Sequence, residues 1–297
     1  MWFYFPLGIE RYRYMKNKNS NGEINRKKKT VGDYIRMLVM LIAIGVFVYS
    51  GSQLIKIFLE YKQGTDEYKK LTQYVSMSIT EDLDIDAGYS EDEVNAKTDG
   101  TKMTESPVDF KALKEINEDV VGWIDVKAID IINYPVVYGE DNDYYLHHTF
   151  QRTLNGAGSI FIDYTNKPDF TDQNTFIYGH NMKNKSMFGD LKDFHKKETF
   201  EKSPYIWVYT PTASYKYQIF SYHVAGIETN SFQNMFQTTE EFENYIDMVQ
   251  RASEYATGVE VTKDDKIITL STCTNDDTTR FLVHAKLIKT IQHQESK

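Results

Sequence analysis

The chain has 297 residues, 41% of them hydrophobic and 14% aromatic, so it can build a core and is not a disordered chain. Its single cysteine excludes an intramolecular disulfide framework and a Cys-rich zinc site. The net charge of −9 is unevenly spread: residues 1–56 carry ten Lys/Arg against three Asp/Glu, the remainder 24 against 40. The acidic remainder argues against nucleic acid as the main partner, because a phosphate-binding domain needs a basic face.

Residues 1–14, MWFYFPLGIERYRY, fit no pattern, whereas Met15 opens a basic lead-in, MKNKNSNGEINRKKK. Translation is therefore expected to start at Met15, and N-terminal sequencing that found Met1 would overturn this. Met37–Ile55 is an uncharged apolar run preceded by Arg26–Lys29 and Arg36 and closed by Lys56. It has roughly the ~20 residues a helix needs to cross a bilayer. By the positive-inside rule, residues 1–36 are cytoplasmic and everything after residue 56 lies outside. A buried core helix explains the charge asymmetry poorly. A cleaved signal peptide fits no better, because the run is long for one and no small-x-small site follows. The reading is an uncleaved anchor over residues 37–55.

Residues 56–104 read as a juxtamembrane helix followed by a tether. Tyr68, Leu71, Tyr74 and Val75 recur at helical spacing within Tyr61–Ile79. From Glu81 to Glu93 there are seven acidic residues and no basic one, a pattern of solvated, extended chain. The folded domain, 105–297, opens on Ser106-Pro107-Val108-Asp109, read as an N-cap, a proline at the first helical position and an acid at the third. Phe110, Leu113 and Ile116 continue one face of a short helix.

Eight runs rich in β-branched and aromatic residues follow: 121–126, 131–138, 159–164, 175–178, 205–210, 215–224, 266–272 and 281–288. Asn155-Gly-Ala-Gly158 reads as a turn rather than a phosphate cradle, since no helical pattern follows it. One helix interrupts the strands, with a capping box at Thr238 and Glu241 and an apolar stripe of Phe242, Tyr245, Ile246, Val249 and Ala252. Eight short strands with one helical connection predict a closed β-barrel, which leaves no exposed sheet edge.

Alternation along 266–273 puts Ile268, Leu270 and Thr272 on one face and Ile267, Thr269, Ser271 and Cys273 on the other. In the returning strand Phe281, Val283, Ala285 and Leu287 form the apolar set, so Arg280 points the opposite way. If 274–279 is the hairpin loop, Cys273 and Arg280 flank its mouth with Cβ atoms ~5 Å apart. A thiol beside a guanidinium sits in an electropositive setting of the kind reactive cysteines occupy. Spacing alone leaves nucleophile and inert buried thiol as open alternatives.

A nucleophilic thiol needs a base or cationic partner, usually histidine. His147 and His148 point to opposite sides if extended, His195 and His293 read as surface residues, and His223 and His284 sit within strands. His180 differs: it follows the strand 175–178 in IYGHNM, where the chain leaves the sheet. Asn181 reads as a loop residue. Asp276 and Asp277, candidates for a triad, read better as turn residues. Arg280 is left as the third member, placed to hold a substrate carbonyl or a tetrahedral oxyanion. Together these residues describe acyl transfer through a thioester.

TLSTC at 269–273, Arg280 in TTRFLVHAKL, the IYGHNM segment, DFKALKEINEDVVGWIDV and YPVV together resemble class B sortases over about residues 105–290. The resemblance implies an eight-stranded sortase barrel with N-terminal helices and a helix between the sixth and seventh strands. It implies a cysteine transpeptidase of the outer face of a Gram-positive membrane, without metal or cofactor. Such an enzyme cuts a sorting signal near the C-terminus of a secreted protein and passes the acyl group to an amine of the cell-wall peptide. Carried over to this chain, Cys273 is the nucleophile, His180 the proton donor to the leaving amine, Arg280 the substrate and oxyanion ligand, and Ser271 a candidate contact to the signal. A membrane-tethered cysteine protease and a pilus-polymerising sortase are the competing enzymatic readings. A surface adhesin would be expected to carry its own C-terminal sorting signal, and IKTIQHQESK is not one.

Overall fold

The computed structural model describes residues 30–76, 105–274 and 276–293. The expected Met15 start, the acidic tether at 81–93 and Asn275 lie outside the described residues. Contacts divide the chain into one unit up to Lys56 and a second from Ile57 onward.

The first described element is a 41-residue helix, α1 (Val31–Leu71). At its start, Asp33 accepts hydrogen bonds from the Thr30 amide and hydroxyl, each at 2.9 Å. The large apolar side chains between Met37 and Ile55 are exposed, and α1 is long and apolar enough to cross a membrane. Sequence predicted two helices here, and the structure has one. No proline separates them, and Gly64, near the start of the second predicted segment, is buried, where a Cβ would lie 3.3 Å from Ala157 Cβ. Glu67, Tyr68 and Leu71 share its buried stripe.

A short helix, α2 (Phe110–Ile116), buries Phe110 and Leu113. Its cap is Asp109, which accepts from the Ala112 amide at 2.9 Å, and not the predicted Ser106. Val108 bridges to Val75, so the chain at 106–108 is extended and the helix starts three residues later.

The eight expected strands are all present: β1 (Val120–Val126), β2 (Asn133–Tyr138), β3 (Ile160–Ile162), β4 (Asn174–Tyr178), β5 (Tyr205–Tyr209), β6 (Ala213–Gly226), β7 (Ile267–Cys273) and β8 (Thr279–Gln292). They close into a barrel in the order β1-β2-β3-β4-β7-β8-β6-β5. Two neighbour pairs are parallel, β2 with β3 and β4 with β7; the others are antiparallel. Three further helices lie in the connections: α3 (Tyr144–His147), α4 (Lys197–Lys202) and α5 (Thr239–Ala252). Only α5 has enough turns to leave a periodic trace in the sequence.

The barrel interior is filled by residues such as Ile124, Val136, Ile177, Ile268, Leu270 and Val283, all fully buried. A second cluster forms where α5 lays Phe242, Tyr245, Ile246 and Val249 against Phe220 and Ile267 on the outer face. Ile267 thus faces α5 while Ile268 faces the interior, as strand alternation predicts. Thr238 caps α5 by accepting from the Glu241 amide, while Glu241 reaches back to the Gln237 amide at 2.7 Å. Ala252, predicted on the stripe, is exposed at the last residue of the helix.

Candidate active site

Strand β7 runs between β4 and β8, parallel to the first and antiparallel to the second. Parallel pairing brings the C-terminal ends of β4 and β7 to the same end of the barrel, with Tyr178 opposite Ser271. His180 lies two residues past β4, and Cys273 ends β7. Antiparallel pairing then sets Arg280 directly opposite Cys273. The juxtaposition deduced from parity is therefore the register of the sheet, and the histidine joins it through a strand neighbour far away in sequence.

These residues line a pocket of about 170 Å³ together with Ser271, Thr272, Gly179, Asn142, Leu146, Phe161 and Tyr178. Cys273 is a free thiol, half-buried at the pocket edge. Ser271 is buried, and its hydroxyl has no hydrogen-bond partner among the described residues. An unsatisfied hydroxyl in the lining of the cleft that also holds the thiol is a group that a bound peptide can satisfy.

His180 Nε2 lies 2.7 Å from the Leu146 carbonyl. A carbonyl only accepts, so Nε2 carries a proton and Nδ1 is the nitrogen that can exchange one. Burial lowers the His180 pKa below the ordinary histidine value, and the Leu146 carbonyl offsets part of that shift. Gly179 fixes where the ring starts. A Cβ there would collide with Ile160 Cδ1 and lie 2.7 Å from a ring carbon of the buried Phe188. Gly179→Ala must shift these side chains or the backbone that carries His180. It is expected to lower kcat/KM on a cognate peptide by about ten- to a hundredfold, since displacement near 1 Å costs that much.

Asn181, read from sequence as a loop residue, donates to the Cys273 carbonyl at 2.8 Å. It ties the histidine turn to the cysteine strand rather than orienting the imidazole. Arg280 donates through Nη1 to the carbonyls of Asp277 and Thr279, each at 2.8 Å, which leaves the rest of its planar fork for other acceptors. Asp276 accepts from the amide and hydroxyl of Thr278, and these bonds lower its pKa. It is a turn residue, as the sequence predicts.

Sequence reasoning missed Tyr178 and Asn142. The Tyr178 hydroxyl and the Asn142 amide both donate to Asp163 Oδ2 at 2.9 Å. Burial, then the Asp163 carboxylate, raise the Tyr178 pKa, and the Arg280 charge offsets part of this. Tyr178 is legible as a strand aromatic but not as a wall of the pocket. The other histidines lie outside the pocket lining. His223 and His284 stack with ring centroids 5.2 Å apart, buried on the outer face of β6 and β8. Burial holds His223 down at about 4 and lowers His284 well below the ordinary value. His293, predicted at the surface, is buried and bonded to Ser214.

Residues 124–288 match the sortase domain family. The chain is 31% identical over 261 residues to sortase B of Listeria monocytogenes, an alignment covering 87% of this chain and 98% of that protein. Its fold is similar to the Staphylococcus aureus sortase B–substrate complex, with a TM-score of 0.65 and 31% identity over 78% of this chain and 99% of that one. It is similar also to sortase B from Bacillus anthracis in complex with AAEK1, with a TM-score of 0.64 and 32% identity over 78% and 100% of the two chains. Barrel topology, a thiol paired across a hairpin with an arginine, and relatives matched over nearly their whole length agree. The chain belongs to the sortase family, in class B, and is a cysteine transpeptidase.

Proposed function

We propose that this transpeptidase cuts a C-terminal sorting signal of secreted proteins and transfers the acyl group to an amine of the cell-wall peptide. The observation that carries this reading is the meeting of Cys273, Arg280 and His180 around one pocket. The Cys273 thiolate attacks the carbonyl carbon of the scissile bond, and the carbonyl π electrons move onto oxygen. Arg280 holds that oxyanion with the guanidinium donors not used by the hairpin carbonyls. The C–N bond then breaks, and protonated His180 gives its Nδ1 proton to the leaving amine. A histidine of lowered pKa surrenders that proton readily, though fewer copies carry it at neutral pH. The acceptor amine attacks the thioester, loses its proton to His180, and expels the Cys273 thiolate. Ser271 bonds the signal peptide beside the scissile residue, which supplies the partner its buried hydroxyl lacks.

Residues 37–55 form the membrane span in this reading. Residues 1–36 lie on the cytoplasmic side and the barrel outside, joined through residues 56–104. The basic lead-in and the exposed apolar stretch of α1 support that orientation. A sorting-signal peptide incubated with and without an amine acceptor tests the reaction. Faster turnover with acceptor, and an acceptor-linked product by mass spectrometry, are expected. Hydrolysis indifferent to the amine would place the enzyme with the proteases, and acceptance only of a lysine in another subunit with the pilus polymerases.

A further inference from the structure

The Leu146 carbonyl that holds His180 Nε2 belongs to a loop, 145–159, that is tied to α1 from outside the barrel. Gly158 sits directly beneath the contact. Its φ is +56°, and a Cβ there would lie 2.6 Å from the Leu146 oxygen, 2.7 Å from the Tyr145 oxygen and 3.0 Å from His180 Cδ2. A side chain at Gly158 would therefore collide with the carbonyl and crowd the ring, so the backbone here passes close beneath both.

Gly158 is held by Tyr68. This tyrosine of α1 is buried, and its hydroxyl donates to the Gly158 carbonyl at 2.6 Å. The same oxygen accepts from the Phe150 amide at 3.1 Å and lies 3.1 Å from Ser159 Oγ, which donates to the His148 carbonyl. One hydroxyl thus bonds two points of the loop that brackets Leu146 and abuts a third. Two more residues of α1 hold its outer turns: Glu67 accepts from the Gln151 amide at 2.8 Å, and Glu60 accepts from the Gly156 amide at 2.6 Å.

The second loop around His180 is reached through the same tyrosine. The Tyr68 ring meets Tyr134 edge to face, with centroids 5.4 Å apart at 88°. The Tyr134 hydroxyl accepts from the Met187 amide at 3.1 Å, and the next residue, Phe188, donates its amide to the His180 carbonyl at 3.0 Å. From Tyr68, contacts lead both to the loop that meets the His180 ring and to the loop that bonds the His180 carbonyl.

We propose that Tyr68 is a positioning residue for His180, its hydroxyl setting the loop that presents the Leu146 carbonyl to Nε2 and so fixing which imidazole nitrogen exchanges the proton. This rests on the reading of His180 as the proton carrier. The hydroxyl is what matters, and the ring serves packing.

Tyr68→Phe in the full-length chain, in detergent micelles, separates the two. With ¹⁵N-labelled histidine and the His180 signal assigned by its loss in His180→Gln, the wild type is expected to show a proton fixed on Nε2. In Tyr68→Phe the two ring nitrogens are expected to move toward tautomer-averaged shifts. For turnover of a sorting-signal peptide, kcat falls about tenfold with KM unchanged, and the pH profile of kcat moves. Ser159→Ala gives the same change in smaller measure, and it decides the matter if Tyr68→Phe does not fold. Val126→Ala, a cavity in the barrel core, is expected to lower the melting temperature while leaving the tautomer alone. An unchanged tautomer in Tyr68→Phe, a changed tautomer with unaltered kcat, or an equal tautomer change in Val126→Ala overturns the proposal. Full transpeptidation by His180→Gln instead overturns the role given to His180 itself, and the tautomer measurement distinguishes that failure from this one.

Discussion

Cys273→Ala is expected to reduce turnover of a sorting-signal peptide by about 10⁴-fold or more, because removing a nucleophile leaves only binding and oxyanion stabilisation. The fold should survive. Cys273 is half-buried at the last residue of β7, and its link to Asn181 runs through its carbonyl, which alanine keeps. A stability change within about 0.5 kcal/mol fits a substitution that opens no buried cavity. Intact-mass spectra supply the direct readout: wild type incubated with peptide and no acceptor gains the mass of an acyl group, and Cys273→Ala gains none. Retained turnover in the variant would remove Cys273 from the chemistry.

Arg280→Lys keeps the charge and is still expected to cost about 10²–10³-fold in kcat, the scale of losing one oxyanion donor. The reason lies in how the guanidinium is shared. Nη1 is committed to the carbonyls of Asp277 and Thr279, which close the hairpin beside Cys273, and the proposed oxyanion role falls to the remaining donors. An ammonium is a single centre and cannot serve both. If it stays with the carbonyls, kcat falls and the hairpin holds. If it turns to the substrate, the hairpin loosens and KM rises as well. A lysine variant with wild-type kcat and KM would show that neither duty belongs to Arg280.

Much of this site is legible in the sequence. Parity along β7 and β8 places Cys273 and Arg280 opposite each other because a hairpin is a local structure, and its register follows from the alternation of Ile268, Leu270 and Phe281, Val283. His180 stands out because it follows a glycine at a strand end. Its nearness to Cys273 is a different matter. It depends on β4 lying parallel to β7, with α4, two strands and α5 between them in sequence, and no local pattern encodes that order. Asn142 and Leu146 escape for a related reason. They reach the pocket from the crossover between the parallel strands β2 and β3, where α3 has only four residues and no periodicity to read. Asp109 displaces Ser106 as the cap of α2 because a contact with Val75 keeps the preceding chain extended, and such long-range contacts are invisible in a window of ten residues. Tyr68 lies on the helix face its spacing predicts; that its hydroxyl ends beneath the His180 contact is a fact of assembly alone.

The lone half-buried thiol has a practical and a chemical consequence. Since Cys273 is the only sulfhydryl in the chain, thiol titration counts reduced Cys273 one for one, with no background from other cysteines. The same solitude governs oxidative injury. A sulfenic acid formed at Cys273 has no resolving cysteine within its own chain with which to close a protective disulfide. Recovery then rests on a thiol from outside, and without one the sulfur proceeds to oxidation states from which it does not return.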